Sequence, residues 1–243
     1  MRTHHVLIAG AAALGLALAL VLGWAAGRGE RRAEAAAPGP GAVTAVADLS
    51  EGVARVSPAV VMVSAGGRSA RDALPMGSGL VVSPDGLMVT SARMTGALRE
   101  ILVIFPDGAA FKAERMGEDK PADVAVFRIL GASQQALPAA RLGDSDKARA
   151  GEPAVLLAEP GGLVTSGVVS GGAPRLGEAA PGLIWTDAER TPTGLGAPLL
   201  TAGGGVIGLA ASRGQGGRMD GLTAVTPAND VKRILERFRG PPA

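Results

Sequence analysis

Gly77-Ser78-Gly79-Leu80-Val81-Val82-Ser83-Pro84-Asp85-Gly86-Leu87-Met88-Val89-Thr90 reads as a complete β-hairpin. The apolar runs 79–82 and 87–90 suit strands, and Ser83-Pro84-Asp85-Gly86 between them is rich in the residues that build tight turns. Pro106-Asp107-Gly108 predicts a second hairpin, joining strands at 101–105 and 109–115. Further short apolar runs follow at strand-like spacing, at 124–129, 154–158, 164–170, 183–186, 198–201, 206–211 and 222–225. Many short strands with Gly/Pro turns predict an all-β antiparallel barrel or sandwich. A short helical pattern at 48–56 precedes the strands. A better-defined helix closes them, with Thr226 as its expected cap, Pro227 at its first position, and Val231, Ile234, Leu235 and Phe238 on one face.

Composition fits this reading and narrows the chemistry. Aromatics are 2% of the 243 residues and tyrosine is absent, so the core must be built from Val, Leu, Ile and Ala. The formal net charge is +2 and the arginines are scattered, which excludes a nucleic-acid footprint. There is no cysteine, and the only histidines are His4 and His5 at the N-terminal end. Histidine is the usual general base near neutral pH, so residues 6–243 hold neither Ser-His-Asp nor Cys-His chemistry. Asp144-Ser145-Asp146 lacks the glycine and distal glutamate of a calcium loop and reads as a surface turn. No metal or cofactor is expected.

Residues 6–26 form an uncharged apolar run, long enough to span a bilayer, after the tail 1–5. It predicts a transmembrane signal-anchor, with a cleaved signal peptide as the alternative. Arg28, Arg31 and Arg32 on one flank and Arg2 on the other leave the topology open. Residues 27–46 read as a linker, 47–239 as the folded domain and 240–243 as a tail.

The strand series with its motifs resembles the HtrA-type, DegP-like branch of the trypsin-fold serine proteases. Gly77 to Gly86 followed by Val89-Thr90 resembles the opening of that family's first barrel, and Ala122-Asp123-Val124-Ala125-Val126 its aspartate motif. Leu142 to Lys147, Gly151-Glu152-Pro153, Val164 to Ser170, Thr186-Asp187-Ala188, Pro198-Leu199, Gly205 to Gly208 and Ala224 to Pro227 follow its second barrel in order. The resemblance covers residues 48–238. It implies a trypsin-like double antiparallel β-barrel with a C-terminal helix, a substrate cleft between the barrels, and a periplasmic domain held at the bacterial inner membrane by residues 6–26. No PDZ domain is expected after the last helix.

The same resemblance places the triad, and two of its three positions are changed. Thr90-Ser91-Ala92-Arg93-Met94 puts Arg93 at the histidine position, and Thr191-Pro192-Thr193-Gly194-Leu195-Gly196-Ala197-Pro198-Leu199 puts Leu195 at the serine position. Asp123 alone matches a triad member. Leucine has no lone pair with which to attack a carbonyl, and a guanidinium cannot accept a proton at neutral pH. The oxyanion turn, Thr193 and Gly194, is altered as well, with Thr193 in place of a glycine. An arginine at the histidine position admits an ion pair with Asp123. The alternative turns Arg93 to solvent and leaves Asp123 to backbone donors.

These readings predict a catalytically inactive protease homologue that holds a polypeptide partner, or an active HtrA-like homologue in a homo- or heterotrimer. Family substrates lie as an added strand along the cleft, a mode that needs backbone groups rather than a triad. The expected peptide-binding residues are Arg190, Thr191, Leu209, Ala210, Ala211, Ser212 and Arg213. Arg213 either favours acidic peptides or lies in solvent on its loop. The rival reading is a residual serine-type endopeptidase with a non-standard site.

Overall fold

The runs of valine, leucine and isoleucine between glycine- and proline-bearing turns close into two six-stranded barrels. The structure, a computed structural model, describes residues 49–67, 69–132, 136–159, 161–172, 182–202, 205–212 and 221–238. The apolar run 6–26, the linker 27–46, the tails 1–5 and 240–243, and Arg213 lie outside these residues. No helix among the described residues is long and apolar enough to cross a membrane.

The first barrel contains β1 (Val60–Ser64), β2 (Pro75–Val81), β3 (Leu87–Thr90), β4 (Glu100–Ile104), β5 (Ala110–Asp119) and β6 (Val124–Ile129), closed in the order β1-β2-β3-β6-β5-β4. The second contains β7 (Pro153–Ala158), β8 (Leu163–Gly172), β9 (Ile184–Thr186), β10 (Pro198–Thr201), β11 (Val206–Ala210) and β12 (Thr223–Pro227), closed as β10-β11-β12-β9-β8-β7. The Ser83-Pro84-Asp85-Gly86 hairpin forms as the sequence predicts. Leu80 stands opposite Val89, Val81 opposite Met88, and the Gly86 amide donates to the Ser83 carbonyl at 3.0 Å.

Strand β1 is absent from the sequence reading for a physical reason. All five of its residues are buried, like those of β3, β10 and β11, and β1 differs in following a helix through the single turn Ser57–Ala59 rather than a tight hairpin turn that would mark it. The core follows the composition. Met88, Val103 and Phe127 fill the first barrel, while Val60, Leu80 and Val126, aligned on the opposite faces of β1, β2 and β6, pack outside it. Leu156, Ile184, Leu199, Ile207 and Val225 fill the second. The helix at 49–56 leads into β1 through the single turn Ser57–Ala59.

The closing helix, Ala228–Glu236, buries Val231, Ile234 and Leu235 as its apolar stripe requires. Its start differs from expectation. Thr226 belongs to β12, opposite Leu209, and its hydroxyl donates to the Ala122 carbonyl at 2.6 Å, so it does not cap the helix. Pro227 occupies the cap position without a side-chain hydrogen bond. The cap comes instead from the Asp144-Ser145-Asp146 turn. Ser145 Oγ accepts from the Asn229 amide at 3.1 Å, Asp144 Oδ1 accepts from Asn229 Nδ2 at 2.8 Å, and Lys232 Nζ donates to the Gly143 carbonyl at 2.6 Å. The Asn229 side-chain bond, with the Asp146 amide, holds the Asp144 carboxyl below the ordinary aspartate range. Ser145 is buried, so Ser145→Ala leaves the helix amide without an acceptor and should cost about 1 kcal/mol. Urea denaturation checks this, and an unchanged midpoint would show that the cap contributes nothing.

Candidate peptide-binding site at the barrel junction

After β3 ends at Thr90, the chain makes a single helical turn, Ala92–Thr95, with Ser91 at its cap. Ser91 Oγ accepts from the Met94 amide at 3.2 Å, and its own proton faces Asp123, whose two carboxylate oxygens lie 2.9 and 3.0 Å away. Asp123 sits in the turn between β5 and β6 at φ 57°, the single non-glycine residue with positive φ among the described residues, and is 3% exposed. The Arg93 amide donates to its Oδ1 at 2.7 Å, and the Ser212 amide, just past β11, donates to its Oδ2 at 2.6 Å. One carboxylate thus collects donors from both barrels.

This arrangement replaces the Arg93–Asp123 ion pair with a bond from the backbone of the same residue. The Arg93 side chain is exposed and makes no ion pair among the described residues. With a hydroxyl and two amides already directed at its oxygens, the carboxylate is satisfied without a guanidinium.

A second junction lies at the turn before β10. The Ser78 amide donates to the Leu195 carbonyl at 2.8 Å, and Ser78 Oγ donates to the Thr193 carbonyl at 2.9 Å while accepting from the Glu159 amide at 3.0 Å. Ser78 is fully buried, so β2 of the first barrel is tied here to two loops of the second. The Gly194 amide donates to the Thr191 carbonyl at 2.9 Å, and the Gly196 amide to the Ala210 carbonyl at 2.8 Å. Leu195 stands half-buried between these two glycines.

Beside the first junction is a cavity of about 680 Å³, lined by Arg93, Asp187, Glu189, Arg190, Ser212 and Thr223 among others. Of the residues expected to bind a peptide, Arg190, Ala211 and Ser212 line it. Leu209 and Ala210 do not. They are buried in β11, and the Ala210 amide and carbonyl are both bonded to the 196–197 turn. Thr191 is half-buried, outside the lining, and its hydroxyl has no hydrogen-bond partner among the described residues. The sequence reading missed Asp187, Glu189 and Thr223 as lining residues. Glu189 was detectable as a charge beside Arg190, whereas Thr223 arrives from β12 only through barrel closure. Asp187 is partly committed, since its Oδ1 accepts from the Val168 amide at 2.6 Å. Among the described residues no three His, Cys, Asp or Glu gather in a way that would hold a metal.

Residues 77–209 match the family described as "Trypsin-like peptidase domain". A protein of Rickettsia prowazekii, described as a probable periplasmic serine endoprotease, DegP-like, is 30% identical over 175 residues, covering 68% of this chain and 34% of the relative. A protein of the same description from Ectopseudomonas mendocina is 32% identical over 180 residues, covering 72% of this chain and 37% of the relative. The chain therefore spans about a third of the length of these relatives. Among solved structures, the HtrA-type protease AlgW with decapeptide superposes with a TM-score of 0.64 at 25% identity, covering 78% of this chain and 66% of that one.

Proposed function

The chain belongs to the trypsin-like peptidase domain family and is an HtrA-like member of it; from that membership we propose that it is a catalytically silent protease fold that uses its interbarrel cavity to hold a polypeptide. The observation that carries this reading is the side chain at the reacting position. Between Gly194 and Gly196 stands the aliphatic Leu195, and the residue whose amide reaches Asp123 is Arg93, whose side chain offers hydrogen-bond donors and no acceptor. Removing either the nucleophile or the base of such a unit abolishes most of its rate, and here neither group is present. A cavity is present between the barrels, and strand-like docking needs only backbone groups and pockets. The DegP-like relatives are described as periplasmic, which supports an extracytoplasmic domain, and the apolar run 6–26 supports export or tethering at a membrane.

The test is labelling of the full-length protein in detergent with a fluorophosphonate probe, alongside digestion of unfolded casein. The expected result is no labelling above a heat-denatured control and no casein fragments. Labelling of the native protein that disappears when one Ser or Thr hydroxyl is removed would overturn the proposal.

A further inference from the structure

A second cavity, of about 550 Å³, opens on the other side of Arg93, lined also by Arg99, Arg115, Glu118 and Lys120 against the small residues Ala92 and Gly96. Its charge is one-sided, with four cations against one carboxylate. That carboxylate is already taken, since Glu118 pairs with Arg115 and with Lys120, the latter at 3.4 Å. Its neighbour Asp119 pairs with Arg237 at 3.1 Å, and Glu100 pairs with Lys112 at 2.7 Å. Arg115 is committed to structure. It donates to the Leu98 and Gly96 carbonyls at 2.8 Å and to Thr95 Oγ1 at 2.9 Å, and it lies over the Phe127 ring. Arg93 and Arg99 remain, both exposed and neither ion-paired among the described residues. Arg93 lines both cavities, so this basic pocket continues the interbarrel one.

We propose that the pocket around Arg93 and Arg99 receives an acidic side chain, Asp or Glu, of the polypeptide held in the interbarrel cavity. This rests on the peptide-holding reading above and adds a ligand class to it. The Arg93 backbone secures Asp123 while its guanidinium is left without a structural partner among the described residues, so the same residue joins the barrels and presents a cation to the ligand. A planar guanidinium fits a carboxylate through two parallel hydrogen bonds. A polypeptide is favoured over a nucleic acid because the pocket has no aromatic side chain on which a base would stack.

The experiment uses the full-length protein in detergent and two fluorescein-labelled decapeptides of Val and Ala, one carrying three glutamates and the other three glutamines at the same places. Fluorescence anisotropy should show the glutamate peptide bound more tightly by about fivefold, with the preference shrinking as salt is raised. Arg93→Gln with Arg99→Gln should remove the preference, with thermal unfolding unchanged. Equal binding of the two peptides overturns the acidic preference and leaves the cleft reading standing. No binding of either overturns both. A preference that survives the double substitution, or displacement of the glutamate peptide by a single-stranded oligonucleotide at lower concentration than by unlabelled glutamate peptide, also overturns it.

Discussion

Asp123→Ala is expected to destabilise the domain by about 4 kcal/mol, a fall in melting temperature of roughly 8–16 °C. The carboxylate accepts from the Ser91 hydroxyl and from the Arg93 and Ser212 amides, at 2.6 to 3.0 Å, in a site where Asp123 is 3% exposed. Each buried donor left without an acceptor costs about 1–3 kcal/mol. Alanine at φ 57° adds about 1–2 kcal/mol, because Asp tolerates the left-handed region better. The substitution also removes the desolvation cost of a buried charge, which keeps the net below the sum. Asp123→Asn should cost about half as much, since Asn keeps the backbone preference and one accepting oxygen but turns an N–H₂ toward a donor. Arg93→Met supplies the control. Because that residue reaches Asp123 through its amide, stability should change by less than about 0.5 kcal/mol. Denaturation of the three variants decides the matter. If Arg93→Met proves as damaging as Asp123→Ala, the guanidinium and not the backbone holds the junction.

The second large effect is expected at Gly196, where Ala should cost about 3–5 kcal/mol. The residue has φ +78°, and a Cβ there would lie 2.2 Å from the Ser78 carbonyl oxygen and 2.5 Å from Thr90 Oγ1. Neither obstacle is free to move. The Thr90 hydroxyl is bonded to the same Ser78 carbonyl at 2.6 Å, and the Gly196 amide is fixed to Ala210. A methyl group at this point would push β2 of the first barrel away from the turn that carries Leu195. Gly108→Ala separates the two causes of strain. Gly108 has φ +88° but nothing within 4 Å of the place a Cβ would take, so its substitution should incur only the backbone penalty of about 1–2 kcal/mol. Equal melting temperatures for the two variants would show that close contact between the barrels does not determine stability at Gly196.

Much of this architecture was legible along the chain. The turns Ser83-Pro84-Asp85-Gly86 and Pro106-Asp107-Gly108 announce their hairpins because turn chemistry is local, and the stripe Val231, Ile234, Leu235 announces the closing helix because helical periodicity is local. The proposed loss of a nucleophile at Leu195 and of a base at Arg93 rests on side-chain identity, which needs no tertiary structure to read. β1 was missed because it follows a helix through the single turn Ser57–Ala59, without a hairpin turn to mark it. The helix cap was misplaced because its acceptor, Ser145, lies far from Asn229 in sequence and adjacent only in space.

What the sequence determined by itself, then, is which atoms are available: no histidine in residues 6–243, an aliphatic residue between two glycines, and an aspartate at position 123. Only the tertiary structure decided how they are used. Whether Asp123 meets the guanidinium or the amide of Arg93 depends on how a one-turn helix is set against the β5–β6 turn, and on Ser212 arriving from the other barrel. The charge left over at Arg93 and Arg99 likewise emerges only when Glu118, Asp119 and Glu100 have found cations across strands. Hydrogen bonds and ion pairs act over a few ångströms of space, and distance along the chain carries almost no information about them.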